Sequence, residues 1–145
     1  MAHSSIVIQQ IQDVVDFLEP RLDGFRPEVA VILGSGLGAF ASRIEKSISI
    51  PYSEIPHFQN PSVEGHEGKI IFGEIRGTKV AVLQGRWHFY EGHSMNSIVI
   101  PTRALAALGA HSLFLTNAAG GVNLGFRAGD RSEEHTSELQ SHLNL

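Results

Sequence analysis

At 145 residues the chain is long enough for one modest domain with a true core, because a compact domain of that size buries about two thirds of the surface its unfolded chain exposes. A composition that is 42% hydrophobic and 18% charged, with 15 glycines, fits a globular α/β chain; it excludes the disordered class, and no apolar run approaches bilayer-spanning length. The formal net charge of −4 argues against a general nucleic-acid surface, so any anion must be held by a local pocket, and the lack of cysteine removes disulfides and thiolate metal sites. Met1 to Gln10 do not read as a secretory signal, which makes the cytoplasm the expected compartment.

Ile6, Ile11, Val14, Val15 and Leu18 recur at near-helical spacing, which predicts an opening amphipathic helix with Ser4 or Ser5 as N-cap and Pro20 as its stop. Val29 to Leu33 is a short continuous apolar run ending at Gly34, as expected of a strand buried on both faces in a mainly parallel sheet. Ala39 to Lys46 reads as a short helix, and Ile48 to His66, with three prolines, as an irregular connection. Lys69 to Ile75 and Thr78 to Leu83, separated by Arg76-Gly77, predict a hairpin. Asn96 to Leu108 predicts a helix closing at Gly109, with Pro101 in its first turn or at a kink, and Ser112 to Thr116 a further buried strand. Strands alternating with helices, with glycines at the strand ends, indicate a doubly wound sheet in which ligands bind beyond the carboxyl ends of the strands.

Three segments carry chemistry. In Gly85-Arg86-Trp87-His88-Phe89-Tyr90-Glu91-Gly92-His93, period-two alternation places Arg86, His88 and Tyr90 on one face and Trp87, Phe89 and Glu91 on the other. The polar face can hold an anion through Arg86 and His88 and a hydroxylated ligand through Tyr90; the alternative is a half-buried strand end with a solvated face. Trp87 and Phe89 read as core or subunit contacts rather than as platforms for a base. Gly34-Ser35-Gly36-Leu37-Gly38 follows a strand, so its backbone N–H groups and the Ser35 hydroxyl can cradle a phosphate, or the glycines serve only a tight turn. It matches neither the dinucleotide fingerprint nor a P-loop. Asn117-Ala118-Ala119-Gly120-Gly121 repeats the logic, with Ala118 contributing its N–H or the small residues simply allowing close packing. His66, between glycines, either reaches a ligand or lies on the surface; His57, His66, His88 and His93 show no recognisable zinc spacing, so no metal is expected.

After Asp130 the character changes: residues 131–145 contain no glycine, proline or aromatic side chain, and Arg131 to Ser141 resembles the translation of a common short-read sequencing adapter. The expected organisation is therefore a domain over residues 1–130 and a foreign tail over 131–145, in which His135, Glu138 and His142 are not a metal site.

Leu33-Gly34-Ser35-Gly36-Leu37-Gly38, Gly85 to His93 and Thr116 to Gly121, with Gly65-His66-Glu67-Gly68 between the first two, occur in the order found in the trimeric, low-molecular-mass purine nucleoside phosphorylases, and from about Ile6 to Asp130 the chain resembles that family. The resemblance implies an α/β/α sandwich around a mixed, partly barrel-like sheet, here truncated, in a cytoplasmic homotrimer. It implies phosphorolysis of purine nucleosides such as inosine and guanosine to free base and pentose 1-phosphate, with phosphate as co-substrate and no cofactor. It further implies that Ser35, His66, Arg86, His88 and Ala118 bind phosphate and that Tyr90 contacts the ribose, with Gly34, Gly36 and Asn117 as supporting turn residues. The family's base-contacting glutamate and asparagine have no counterpart in this stretch, so the chain by itself is expected to be inactive. A methylthioadenosine phosphorylase and a non-catalytic anion-binding module are the alternatives.

Overall fold

The computed structural model describes residues 2–34, 36–59, 68–117 and 120–130. The elements are α1 (Ala2–Leu22), β1 (Val29–Leu33), β2 (Glu45–Pro51), β3 (Lys69–Ile75), β4 (Thr78–Gln84), α2 (Met95–Ala107) and β5 (Ser112–Leu115), with short 3-10 turns at Gly38–Arg43, Tyr52–Glu54 and Phe89–Glu91. The strands form one five-stranded sheet in the order β2-β3-β4-β1-β5. β1 lies parallel to both β4 and β5, whereas β3 is antiparallel to β2 and β4, so the sheet is mixed rather than doubly wound throughout. Among the described residues it is open, with β2 and β5 at its edges.

β1 takes the predicted bounds because a run of apolar residues paired on both sides satisfies every backbone group while burying side chains on both faces. The hairpin also forms as expected: Arg76 and Gly77 both have positive φ, 51° and 81°, the mirror-image turn whose twist suits two-residue connections. α2 starts one residue before Asn96. Ser94 caps it by accepting from the Ser97 N–H at 3.1 Å. It ends as a Schellman motif in which Gly109, at φ 124°, donates to Ala106 O and Ala110 donates to Leu105 O.

Both helices cover one face of the sheet, where Val14, Leu18, Phe72, Leu83, Ile100 and Leu105 share a core with Tyr52 and Trp87. The other face holds a smaller cluster, Val31, Leu33, Ile44, Ile71, Val80 and Val82, against which Phe40 and Ala41 of the first 3-10 turn pack. The second face therefore carries this turn, and not an α-helical layer, among the described residues.

Several local expectations change. Helix α1 begins before Ser4 and Ser5, and Pro20 lies inside it. The carbonyl that Pro20 leaves unbonded belongs to Asp16, on the exposed side where water reaches it, so the helix runs on until Asp23 and Gly24 turn to positive φ. Ala39 to Lys46 is divided between the 3-10 turn and the start of β2, and Glu45–Pro51, expected within an irregular connection, is an edge strand. Pro101 sits buried in the second turn of α2. β5 forms where expected but is exposed throughout, and among the described residues only β1 pairs with it.

α1 is also tied to the segment before residue 60. Asp13 Oδ2 lies 2.7 Å from His57 Nε2, and Asp13 Oδ1 accepts from Gln9 Nε2 at 2.8 Å. These hydrogen bonds, the Gln9 one foremost, hold the Asp13 carboxyl below its ordinary value of 3.8. A depressed folded-state value means that this contribution to stability is present above the unfolded pKa and is lost as pH falls through the folded one. Asp13→Asn is therefore expected to flatten the decline of thermal stability as pH falls below the ordinary carboxyl value while leaving the neutral-pH range unchanged, as read from melting curves at neutral and acid pH. An unchanged acid limb would refute the assignment.

Candidate functional site

The three parallel strands β4, β1 and β5 end side by side, since Leu33 pairs with Gln84 and Ile32 with Leu115. Their exits are therefore Gly85-Arg86, Gly34 and Thr116-Asn117, so the three motifs singled out in the sequence meet at one edge of the sheet. Thr116 joins them. Its hydroxyl accepts the Gly34 N–H at 2.7 Å and donates to Ile32 O at 2.9 Å, while its carbonyl accepts from Arg86 Nη1 at 2.9 Å. β1 lies between β4 and β5, so Arg86 reaches across the end of β1 to the carbonyl of the residue that follows β5.

Gly34 permits this approach because a Cβ there would stand 2.7 Å from Thr116 O and 3.0 Å from Asn117 Cα. Gly36, at φ 83°, supplies the left-handed step that turns the chain away. Asn117 lies beside Thr116 and lines a cavity of about 480 Å³ between α2 and the sheet, whose wall also includes Ile32, Leu83, Arg86, Ile98 and Leu115. The hollow is mostly apolar, with Arg86, Arg103, Thr102 and Asn117 as polar members of its lining.

The backbone on either side of Arg86 is anchored in the core. Tyr52, only 1% exposed, donates its hydroxyl to Gly85 O at 2.7 Å, and Trp87 Nε1 donates to Gln59 O at 2.7 Å. Phe58 packs edge-on against both rings, with centroids 5.3 Å from Tyr52 and 5.1 Å from Trp87. Burial pushes the Tyr52 phenol far up, so it stays a donor throughout the physiological range.

Arg86 and His88 fall together as expected, Arg86 Nε lying 3.4 Å from His88 Nε2, but the predicted alternation stops there. β4 ends at Gln84 and Phe89–Glu91 form a 3-10 turn closed by Gly92 at φ 90°. Glu91 consequently folds back, accepting the His88 N–H on Oε2 at 3.2 Å with His93 Nε2 also 3.2 Å from that oxygen, instead of joining Trp87 on a packing face. Trp87 is buried as expected, whereas Phe89 is exposed. Tyr90 is 79% exposed and stacks on His88 at 4.8 Å and 16°.

Ser35, His66 and Ala118 lie outside the described residues, although Gly34, Gly36 and Asn117 beside them are described. His57 is engaged with Asp13, and His93 lies against Glu91. No group of three or more potential metal ligands occurs among the described residues. Two residues that shape the site, Thr116 and Tyr52, carried no role in the sequence, although Thr116 heads the third motif. Their signals are faint: a threonine at a strand exit before a small-residue turn, and one aromatic ring in a proline-rich stretch.

The family model described as the Phosphorylase superfamily matches residues 28–131, and the chain belongs to that superfamily. It is 47% identical to purine nucleoside phosphorylase 1 of Geobacillus stearothermophilus over 120 residues, covering 83% of this chain and 43% of the relative. With purine nucleoside phosphorylase 1 of Bacillus subtilis the identity is 50% over 104 residues, covering 72% and 38%. Among solved structures, a purine nucleoside phosphorylase in complex with ribose-1-phosphate superposes with a TM-score of 0.76 at 41% identity, over 85% of this chain and 45% of that one. The Schistosoma mansoni enzyme in complex with inosine gives 0.75 at 41% identity, covering 85% and 42%. The chain thus spans less than half the length of these relatives. No described helix is long and apolar enough to cross a membrane.

The close approach at Gly34 makes a differential prediction. Gly34→Ala is expected to cost about 2 to 3 kcal/mol, because backbone atoms of β5's exit must move, while Gly38→Ala, whose nearest neighbour is the Gln84 amide at 3.4 Å, is expected to cost under about 1 kcal/mol. Urea denaturation of the two variants measures the difference, and equal costs would contradict the packing described.

Proposed function

We propose that the chain is the amino-terminal part of a purine nucleoside phosphorylase and supplies the phosphate side of its site. The observation that carries the reading is the convergence of Arg86, His88, the Gly34 turn and the Thr116-Asn117 turn at the carboxyl ends of three parallel strands. The relatives named above, with one solved structure holding ribose-1-phosphate and another inosine, support it. The same reading assigns phosphate contacts to Ser35, His66 and the Ala118 N–H and the ribose to Tyr90, with Gly34, Gly36 and Asn117 shaping the turns. It places the whole enzyme in the cytoplasm as a homotrimer that needs inorganic phosphate and no further cofactor.

In this reaction a hydrogenphosphate oxygen attacks the anomeric carbon while the glycosidic bond breaks and its electron pair leaves with the purine, whose nitrogen takes up one proton, matching the one that hydrogenphosphate loses on becoming a monoester dianion. The products are free base and pentose 1-phosphate. The sugar passes through a cationic transition state, so a dianion fixed beside it is both correctly placed and electrostatically stabilising. Arg86 supplies permanent positive charge, and the anchoring of Gly85 and Trp87 fixes where that charge stands. His88 adds a second polar contact beside it. Tyr90, exposed and stacked on His88, presents its hydroxyl from the same segment that holds the anion.

By the family resemblance the base-contacting side chains fall in the part of the relatives that this chain does not span, so phosphate binding is the property to measure. Calorimetry with inorganic phosphate is expected to show binding that Arg86→Ala weakens at least tenfold, roughly the 1.5 to 3 kcal/mol of a charge-assisted hydrogen bond. Arg76→Ala, at the exposed hairpin tip, should leave it unchanged. Equal losses in both variants would reduce the effect to net charge. Robust phosphate-dependent cleavage of inosine by the 145-residue chain would overturn its assignment as a half-site.

A further inference from the structure

We propose that Thr116 is a positioning residue for this phosphate site, its hydroxyl clamping the Gly34 turn at a fixed distance from the Arg86 guanidinium. The inference rests on the phosphorolysis reading and adds a residue that acts through its neighbours, without itself meeting the ligand.

Thr116 uses three polar groups on two strands. Its N–H donates to Ile32 O at 3.1 Å and continues the β1–β5 ladder by one residue. Its hydroxyl then donates to that same Ile32 carbonyl and accepts from Gly34 N–H, so the ladder is extended through a side chain where backbone pairing has stopped. Its carbonyl accepts from Arg86. Gly34 and Arg86 leave neighbouring strands but make their fixed contacts with the same residue on a third element, so the spacing between the turn backbone and the cation is set at Thr116.

The side-chain requirement is narrow. Serine retains the hydroxyl that both accepts and donates; valine retains the shape but leaves the buried Gly34 N–H without its acceptor. A purely structural role would follow packing, whereas the positioning role follows the hydroxyl.

The test compares Thr116→Val and Thr116→Ser in the full chain by three readouts: melting temperature, calorimetric affinity for inorganic phosphate, and hydrogen exchange at the Gly34 amide. Thr116→Val is expected to weaken phosphate binding about tenfold and to speed Gly34 exchange, while Thr116→Ser stays within about threefold of the parent in affinity and keeps the amide protected. Equal affinity in Thr116→Val and the parent overturns the proposal, as does a serine variant as weak as the valine one. Should valine prevent folding, Thr116→Ala against Thr116→Ser reads the same contrast. If the parent chain binds no phosphate, the functional reading fails and the positioning role with it, and Gly34 exchange then decides separately whether the hydroxyl holds the turn.

Discussion

Where β1 and β5 leave the sheet, a glycine backbone presses against a threonine carbonyl, and the arrangement of charge beside them depends on that contact. β1 is hydrogen-bonded on both sides, so its carboxyl end cannot shift without moving β4 and β5 with it. The missing Cβ at Gly34 lets the two exits touch, and the Thr116 hydroxyl converts that touch into directed hydrogen bonds. Arg86 then has a fixed carbonyl to reach for. A bulkier residue at 34 would separate the exits and leave the guanidinium without this partner. Sequence, backbone geometry and electrostatics therefore meet at a single point.

The second support is the core itself. The residues before and after Arg86 are held by a buried phenol and a buried indole, each making a hydrogen bond and each packed against Phe58. Two hydrogen bonds at about 1 kcal/mol and two edge-on aromatic pairs at about 0.5 to 1.5 kcal/mol exceed thermal energy several-fold, which is enough to fix a short length of backbone. Tyr52 contributes from the segment that follows β2, so the edge of the sheet farthest from β5 also helps define where the cation stands. The polar residues farther along the run are less constrained. Tyr90 stands on a 3-10 turn with its ring mostly in solvent.

Elements whose burial is decided locally could be read from the sequence. The apolar run of β1 and the Arg76-Gly77 turn carry their own explanations, and both appeared where expected. β2 did not announce itself, because at an edge only Ile50 is buried and Lys46 at φ 49° breaks the pairing register, so the segment lacks the alternation that marks a strand. β5 shows the reverse error: Leu113, Phe114 and Leu115 look like core residues, but burial depends on what lies across them. Arg86, His88 and Tyr90 lie together as expected, Tyr90 stacking on His88, but on a 3-10 turn rather than an extended strand, with the Glu91 carboxylate folded back onto the His88 N–H. Of the site, Arg86, His88 and the glycine turns were legible as residue types. Tyr52 and Thr116 were not, because their partners lie 33 and 82 residues away along the chain. Pattern within a window carries no such information.

The exposed flank of β5 bears on the chemistry as well as on stability. Leu115 belongs at once to the wall of the cavity next to Arg86 and to the apolar edge formed with Leu113 and Phe114. One residue on, Thr116 holds the glycine turn and the guanidinium. The cavity wall, the apolar edge and the carbonyl that Arg86 reaches thus fall on adjacent residues of a four-residue strand and its exit.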